Sequence, residues 1–301
     1  MGTPDFACPT LEMLIENTNV LLVVTQPDKL VGRKKILTNS PIKELALKHN
    51  IEVFQPIKIK EDYQRILDLN PDIIITCAYG QIIPKILLET PKLKCINVHA
   101  SLLPNLRGGA PLHHAIIDGY TTTGVTIMYM DEKMDNGDII STYEYQIKDT
   151  DTFGTLSEKL SQEGAKLLFN TLPSIINQTN QRIPQDQSKV TFGYNIQREE
   201  EHIDFNKTCL EIDRLVRGLT PMPYANTIID DIEYKIIKGH YELKKSIPNT
   251  INIIDKKTLG IGCADGIYFI DIIKPSGKKE MTIQNFLNGI KIEELKTKEI
   301  K

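Results

Sequence analysis

Asn97 and His99 stand two residues apart in the largely apolar run Lys94-Cys95-Ile96-Asn97-Val98-His99. In a β-strand, side chains alternate between faces, so Asn97 and His99 point one way while Ile96 and Val98 point the other. An amide NH2 and an imidazole displayed together are hydrogen-bond donors suited to stabilising a developing oxyanion. The loop Ala100–Gly109 follows, and Pro104, Gly108, Gly109 and Pro111 restrict its backbone to a shaped wall. Further on, Met134-Asp135-Asn136-Gly137-Asp138 adds carboxylates. Taken singly these residues mean little, because a lone histidine is more often a structural hydrogen-bonding group than a catalyst. His113 and His114 are adjacent and lack further ligands at useful spacing, so no metal is expected. No GxGxxG fingerprint follows a strand, which disfavours a dinucleotide enzyme.

Positioning these groups calls for a sheet. Short apolar runs at Val20–Thr25, Ile51–Phe54, Asp72–Cys77, Cys95–Val98 and Val125–Met130 alternate with helix-like stretches. Ile73-Ile74-Ile75 is continuously apolar, as in a parallel strand covered on both faces. Ser40-Pro41 opens one helix, and Thr155-Leu156-Ser157-Glu158 reads as a capping box for a longer one faced by Leu156, Leu160, Leu168, Leu172, Ile175 and Ile176. The alternation predicts an α/β fold, a doubly wound, mostly parallel, Rossmann-like sheet, with ligands at the carboxyl ends of its strands. Gly2–Phe6 reads as the turn after a first strand that only Met1 precedes, so a mis-called start or a truncated chain is expected; the alternative is a short arm leading into a helix.

The expected organisation is a catalytic domain over residues 1–178, a Gln/Asn/Pro/Ser-rich linker over 179–202, and a smaller β-rich domain over 203–301. The last contains a helix at Cys209–Leu219 and strands at Tyr234–Ile237, Ile251–Ile254, Leu259–Cys263 and Ile267–Ile273, with Asp265-Gly266 marking a hairpin in a compact barrel. Hydrophobic residues at 41% and charged residues at 25% match a globular protein with a sizeable core. No apolar run approaches the roughly 18 residues of a membrane span, and no secretory signal is visible. Five scattered cysteines without a CxxC pair fit reduced thiols in a cytoplasmic protein. The net charge is -3, and residues 201–301 hold 16 Lys/Arg against 15 Asp/Glu, so nucleic-acid binding would need a local patch.

The string Asn97-Val98-His99-Ala100-Ser101-Leu102-Leu103-Pro104, followed by Asp135 before Gly137, resembles the signature of the folate-dependent formyltransferases. The resemblance runs over essentially the whole chain. It implies 10-formyltetrahydrofolate as formyl donor, no metal, and Asn97, His99 and Asp135 as catalytic residues. Asp135 would orient His99, favour its charged form and relay a proton. The resemblance also implies folate contacts from Ser101, Leu102, Leu103 and Pro104 and from the loop carrying Tyr79, Gly80, Gln81 and Ile82.

The acceptor must be read elsewhere. Residues Pro27–Lys43 form a long connection whose Lys29, Arg33, Lys34, Lys35 and Lys43 face one acid, Asp28. Composition alone leaves a solvated basic loop and an RNA contact equally open. The segment resembles the insertion found in the branch of the family that formylates methionyl-tRNA, and Arg217–Pro223 with the β-rich segment after it resembles that branch's C-terminal domain, which has an OB-like fold. The resemblance thus implies initiator methionyl-tRNA as partner, contacted by Arg33, Lys34, Lys35 and the C-terminal domain, and a monomeric enzyme of translation initiation. The rivals are a glycinamide ribonucleotide formyltransferase, against which the second domain argues, and a sugar-nucleotide formyltransferase or formyl-tetrahydrofolate hydrolase, which should lack the basic loop. A non-catalytic RNA-binding module would not need the intact Asn97, His99 and Asp135.

Overall fold

A computed structural model of the chain describes residues 1–32, 35–291, 295 and 298–300. Two compact units divide it. The first comprises Met1–Pro111, Thr122–Gln146 and Ser157–Tyr194; the second comprises Leu112–Thr121, Ile147–Leu156 and Asn195–Lys301. Helices α1 (Cys8–Asn17), α2 (Pro41–Lys48), α3 (Gln64–Asp68) and α4 (Lys85–Glu89) belong to the first unit. Helices α5 (Pro111–Ile117, from Leu112 on), α7 (Cys209–Gly218) and α8 (Ile283–Asn288) belong to the second, and α6 (Phe153–Ile176) starts in the second and continues in the first from Ser157.

The first unit contains strands β1 (Val23–Val24), β2 (Lys29–Val31), β3 (Ile36–Thr38), β4 (Val53–Phe54), β5 (Ile74–Thr76), β6 (Cys95–His99), β7 (Thr122–Tyr129) and β8 (Ile139–Gln146). β1 pairs with β4 and β5 with β6, both in parallel. Met1 and Gly2 lie in the lane between β1 and β5. Gly2 donates to the Val24 carbonyl, Cys77 donates to that of Met1, and Gly2 pairs in parallel with Cys77. β1 is shorter than the apolar run Val20–Thr25 suggests. Beyond β6 the ladder turns antiparallel through β7 and β8. β7 is buried over Thr123–Met128, in contrast with β8, where from Ser141 on half-buried positions alternate with exposed ones, as expected of a strand with one wet face.

Ser40 caps α2 by accepting from the Lys43 backbone N–H, as its sequence signature suggests. The long helix starts earlier than expected. Thr152, not Thr155, accepts from a first-turn amide, and the Leu156 amide already donates to the Thr152 carbonyl, so Thr155 lies inside α6. The face formed by Leu156, Leu160, Leu168, Leu172 and Ile175 is buried, whereas Ile176 on the last turn is exposed. The stretch expected as a long open connection contains an antiparallel hairpin, β2–β3, in which Lys29 faces Thr38 and Val31 faces Ile36.

β6 and β7 pack so closely on their neighbours that one position admits no side chain. A β-carbon on Gly124 would lie 1.9 Å from the Tyr143 carbonyl oxygen and 2.7 Å from Leu102 Cδ2. The Tyr143 oxygen is backbone of the paired strand β8 and cannot step aside. Gly124→Ala is expected to cost about 3 kcal/mol of stability. A urea titration checks this as a lower midpoint at unchanged slope.

The second unit is built on strands β9 (Ala225–Ile229), β10 (Ile232–Leu243), β11 (Ile251–Asp255), β12 (Thr258–Gly262), β13 (Gly266–Pro275) and β14 (Met281–Thr282). They form an antiparallel sheet in the order β11-β12-β13-β10-β9, with β14 on β13. The hairpin signal at Asp265-Gly266 corresponds to the β12–β13 turn, where Gly262 and Ile267 are paired. α7 opens with a capping box from Thr208 and Glu211 and buries Ile212 and Val216 against the sheet core of Ile236, Ile261, Tyr268 and Ile270.

Candidate active site

β6 carries Asn97 half-buried and His99 buried. The loop between β7 and β8 folds back across the face of β6 and brings Asp135 onto both. Asn97 Nδ2 donates to Asp135 Oδ1 at 3.3 Å, and His99 Nδ1 stands 3.6 Å from the same oxygen. Asp135 Oδ2 is taken by the backbone N–H of Gly108 at 2.9 Å. One carboxylate oxygen is thus tied to the loop, and the other faces the Asn97 amide and the imidazole. All three residues expected to be catalytic converge on a single cluster.

The amide of Asn97 has one workable orientation. A carboxylate offers only acceptors, so the NH2 must face Asp135, and the carbonyl oxygen accepts from the Thr76 hydroxyl at 2.8 Å. Thr76 sits on β5, paired with Asn97 across the parallel ladder, and is buried. Replacing it by valine removes the hydroxyl with little change of shape and leaves the amide free to turn. Thr76→Val is expected to lower kcat about 10-fold with donor KM nearly unchanged; steady-state kinetics at varied donor concentration check it.

His99 Nε2 lies 3.1 Å from the Leu106 carbonyl oxygen. Both ring nitrogens therefore face oxygen atoms, one of the backbone and one of the Asp135 carboxylate. The loop that supplies the Leu106 carbonyl and the Gly108 amide has constrained backbone. Leu106 has φ 56°, Gly108 φ 119° and Asp135 φ 48°. At Gly108 a β-carbon would meet the Gly193 carbonyl oxygen at 2.8 Å, so only glycine presents its N–H to Asp135.

Neighbouring residues that spacing did not reveal complete the site. Arg107 is buried, and its guanidinium donates to Gln185 Oε1 at 2.7 and 3.1 Å and to Asn136 Oδ1 at 3.0 Å. Burial pulls its pKa below the usual guanidinium range, against the opposing pull of Asp135 and Asp131. Residues 185–193, within the stretch expected as a linker, run beside the catalytic loop. Phe192 pairs in parallel with Arg107, the Arg107 amide donates to the Thr191 carbonyl, and that of Gly193 donates to the Arg107 carbonyl. The one sequence signal for this was Arg107 itself, a charge in an otherwise small and restrained loop.

The residues expected at the folate lie around this cluster. Ser101 is buried and donates through its hydroxyl to the Asn105 carbonyl at 2.6 Å; its own carbonyl accepts from Thr126, whose hydroxyl also accepts from the Leu103 amide. Leu103–Pro104 is a cis peptide. Thr126 is the Cα partner of His99 on β7, so the Ser101–Pro104 segment is pinned beside the imidazole. In the other loop the Tyr79 ring is buried, Gly80 has φ 86° and Ile82 is exposed. The Gln81 side chain bonds the Ile59 amide and the Pro56 and Ile57 carbonyls, which shapes the loop.

Among the residues expected at RNA, Arg33 and Lys34 lie outside the described residues. Lys35 is exposed at φ 47° in the β2–β3 turn. Lys43 is bound to Asp28 at 2.6 Å, and this contact, with that of Gln55, holds the Asp28 carboxyl below its ordinary range. The hairpin also exposes Leu30, Ile36 and Leu37. No group of three or more His, Cys, Asp or Glu that could hold a metal is found among the described residues.

Comparison with known proteins gives two family matches, "Formyl transferase" over residues 2–172 and "Formyl transferase, C-terminal domain" over residues 195–291. A methionyl-tRNA formyltransferase of Staphylococcus epidermidis is 48% identical over 299 residues, covering 96% of this chain and 95% of the relative. One from Bacillus mycoides is 48% identical over 300 residues, covering 97% and 95%. Among solved structures, an N-formyltransferase from Helicobacter canadensis, in complex with folinic acid and dTDP-3-aminofucose, superposes with a TM-score of 0.68 at 23% identity, over 93% of this chain and 97% of that one. At that identity the likeness is one of fold.

Proposed function

The chain belongs to the formyl transferase family, and on that premise we propose that it transfers the formyl group of 10-formyltetrahydrofolate to the free amino group of methionyl-tRNA, giving N-formylmethionyl-tRNA for translation initiation. The observation that carries the reading is the convergence of Asn97, His99 and Asp135 in a chain nearly half identical, end to end, to methionyl-tRNA formyltransferases.

The geometry supports the following order of steps. The α-amine, with a pKa near ~8, is already a nucleophile at neutral pH. It attacks the formyl carbon, a C–N bond forms, and negative charge collects on the formyl oxygen. Asn97 spends one N–H on Asp135 and has a second for that oxygen, while the His99 ring stands beside the same carboxylate oxygen, its Nδ1 3.6 Å from Asp135 Oδ1. Asp135 Oδ1, with Oδ2 tied to Gly108, takes the proton from the attacking amine. It returns that proton to N10 as the C–N10 bond breaks, so no covalent enzyme intermediate is needed.

The donor is assigned to Ser101–Pro104 and Tyr79–Ile82, both of which adjoin the ends of the strands bearing Asn97 and Thr76. The tRNA is assigned to Arg33, Lys34 and Lys35, of which Lys35 lies in the β2–β3 turn, and to the C-terminal unit. Apolar Leu30, Ile36 and Leu37 beside the basic turn suit contact with nucleic acid better than bare solvent. The chain is read as a monomer of the cytoplasm, a setting that fits its five free cysteines. The test is formylation: purified protein with 10-formyltetrahydrofolate should formylate methionyl-tRNA and leave a dTDP-amino sugar untouched. The opposite preference would overturn the acceptor, and no transfer to either would overturn the reaction.

A further inference from the structure

Asp135 can serve Gly108, Asn97 and His99 at once because its backbone holds a left-handed conformation, φ 48°. An L-residue other than glycine adopts that conformation at a cost of order 1 kcal/mol, and it persists when neighbours over-determine it. The neighbour here is Gln185, fifty residues downstream. Its amide nitrogen donates to the Asp135 carbonyl and to the Gly137 carbonyl, both at 2.8 Å, bracketing the turn. Its amide oxygen accepts twice from the Arg107 guanidinium. Gln185 is 7% exposed and Arg107 5% exposed, so neither has water as an easy substitute.

The fork of Arg107 fixes the Gln185 orientation. A guanidinium only donates, so the amide oxygen must face it and the NH2 must face the two carbonyls. Arg107 is also one residue before Gly108, whose N–H holds the Asp135 side chain. One buried amide therefore links the backbone of the catalytic carboxylate to the loop that grips its oxygen. We propose that Gln185, locked by Arg107, is a positioning residue for formyl transfer, setting Asp135 Oδ1 against Asn97 and His99. This assignment rests on the formyl-transfer reading.

The deciding variant is Gln185→Glu. It keeps the shape and the acceptor for Arg107, now as a charged pair, and removes both donors to the Asp135 and Gly137 carbonyls. The expected result is a kcat about 30-fold lower with donor and tRNA KM within about threefold, a melting temperature near that of the parent, and faster amide hydrogen exchange over residues 131–138. In an Asp135→Ala background the same change should cost less than about twofold, since a residue acting through Asp135 has nothing left to position. Parent-like kcat in a folded Gln185→Glu protein overturns the proposal, and so does a full loss that persists without the Asp135 carboxylate. Should Gln185→Glu fail to fold, Arg107→Lys, which keeps the charge but loosens the fork, is put through the same cycle and judged by the same outcomes. Hydrogen exchange reads the clamp without any substrate, so inactivity of the parent would count against the reaction and not against the clamp.

Discussion

His99→Ala is expected to lower kcat by about 10²–10³-fold, a loss of roughly 3–4 kcal/mol of transition-state stabilisation. The ring is buried on β6 with Nε2 against the Leu106 carbonyl and Nδ1 beside Asp135 Oδ1. Alanine removes the ring that stands beside Asp135, next to the position of the developing oxyanion, and solvent is largely excluded from the space it leaves. Donor affinity should change little, because the segments assigned to folate keep their own bonds, Ser101 to Asn105 and Leu103 to Thr126. Single-turnover measurement with saturating donor separates the chemical step from binding; unchanged turnover would show that Asn97 suffices and the imidazole is structural.

Asp135→Asn should be at least as severe, about 10³-fold in kcat, for a different reason. The carboxylate has two acceptor oxygens, one spent on the Gly108 N–H and one facing Asn97 and His99. An asparagine has a single acceptor. If its oxygen meets Gly108, its NH2 confronts the Asn97 NH2, donor against donor. If it turns the other way, the Gly108 amide loses its partner. Neither orientation takes up a proton, so relay to N10 stops as well. The fold should survive, since Asn tolerates the left-handed backbone. A circular dichroism melt alongside kinetics checks both halves; a variant retaining a tenth of parental kcat would remove Asp135 from the proton path.

Part of this was legible in the chain. Period two on one apolar run placed Asn97 and His99 on a common face, and continuous apolarity marked the parallel strands. Asp135 entered through its resemblance to a motif, because no local rule tells where a loop between two strands will fold. Gln185 was invisible for a related reason. Its partners lie 48 to 78 residues away, and Gln/Asn/Pro/Ser composition is what solvated connections also have. The β2–β3 hairpin was missed because its tip is basic and glycine-hinged, which reads as loop, while Leu30, Ile36 and Leu37 are outward and bury nothing locally. Thr76, in contrast, was already inside a recognised strand; only the register against Asn97 was lacking.

The segment from Gln185 to Gly193, with its short 3-10 turn at Gln187–Lys189 and the bridge of Phe192 to Arg107, sets a limit on how the enzyme can be taken apart. A catalytic fragment ending at residue 178 would keep Asn97, His99, Asp135 and every residue assigned to folate, and would still lack the edge on which Arg107 and Gly108 are hung. The shortest piece with an intact catalytic loop extends to Tyr194, where the first compact unit ends. Fusions, split reporters and domain swaps between members of this family therefore belong after Tyr194, and a protease cut between 179 and 193 would act as an off-switch on chemistry rather than a separation of domains.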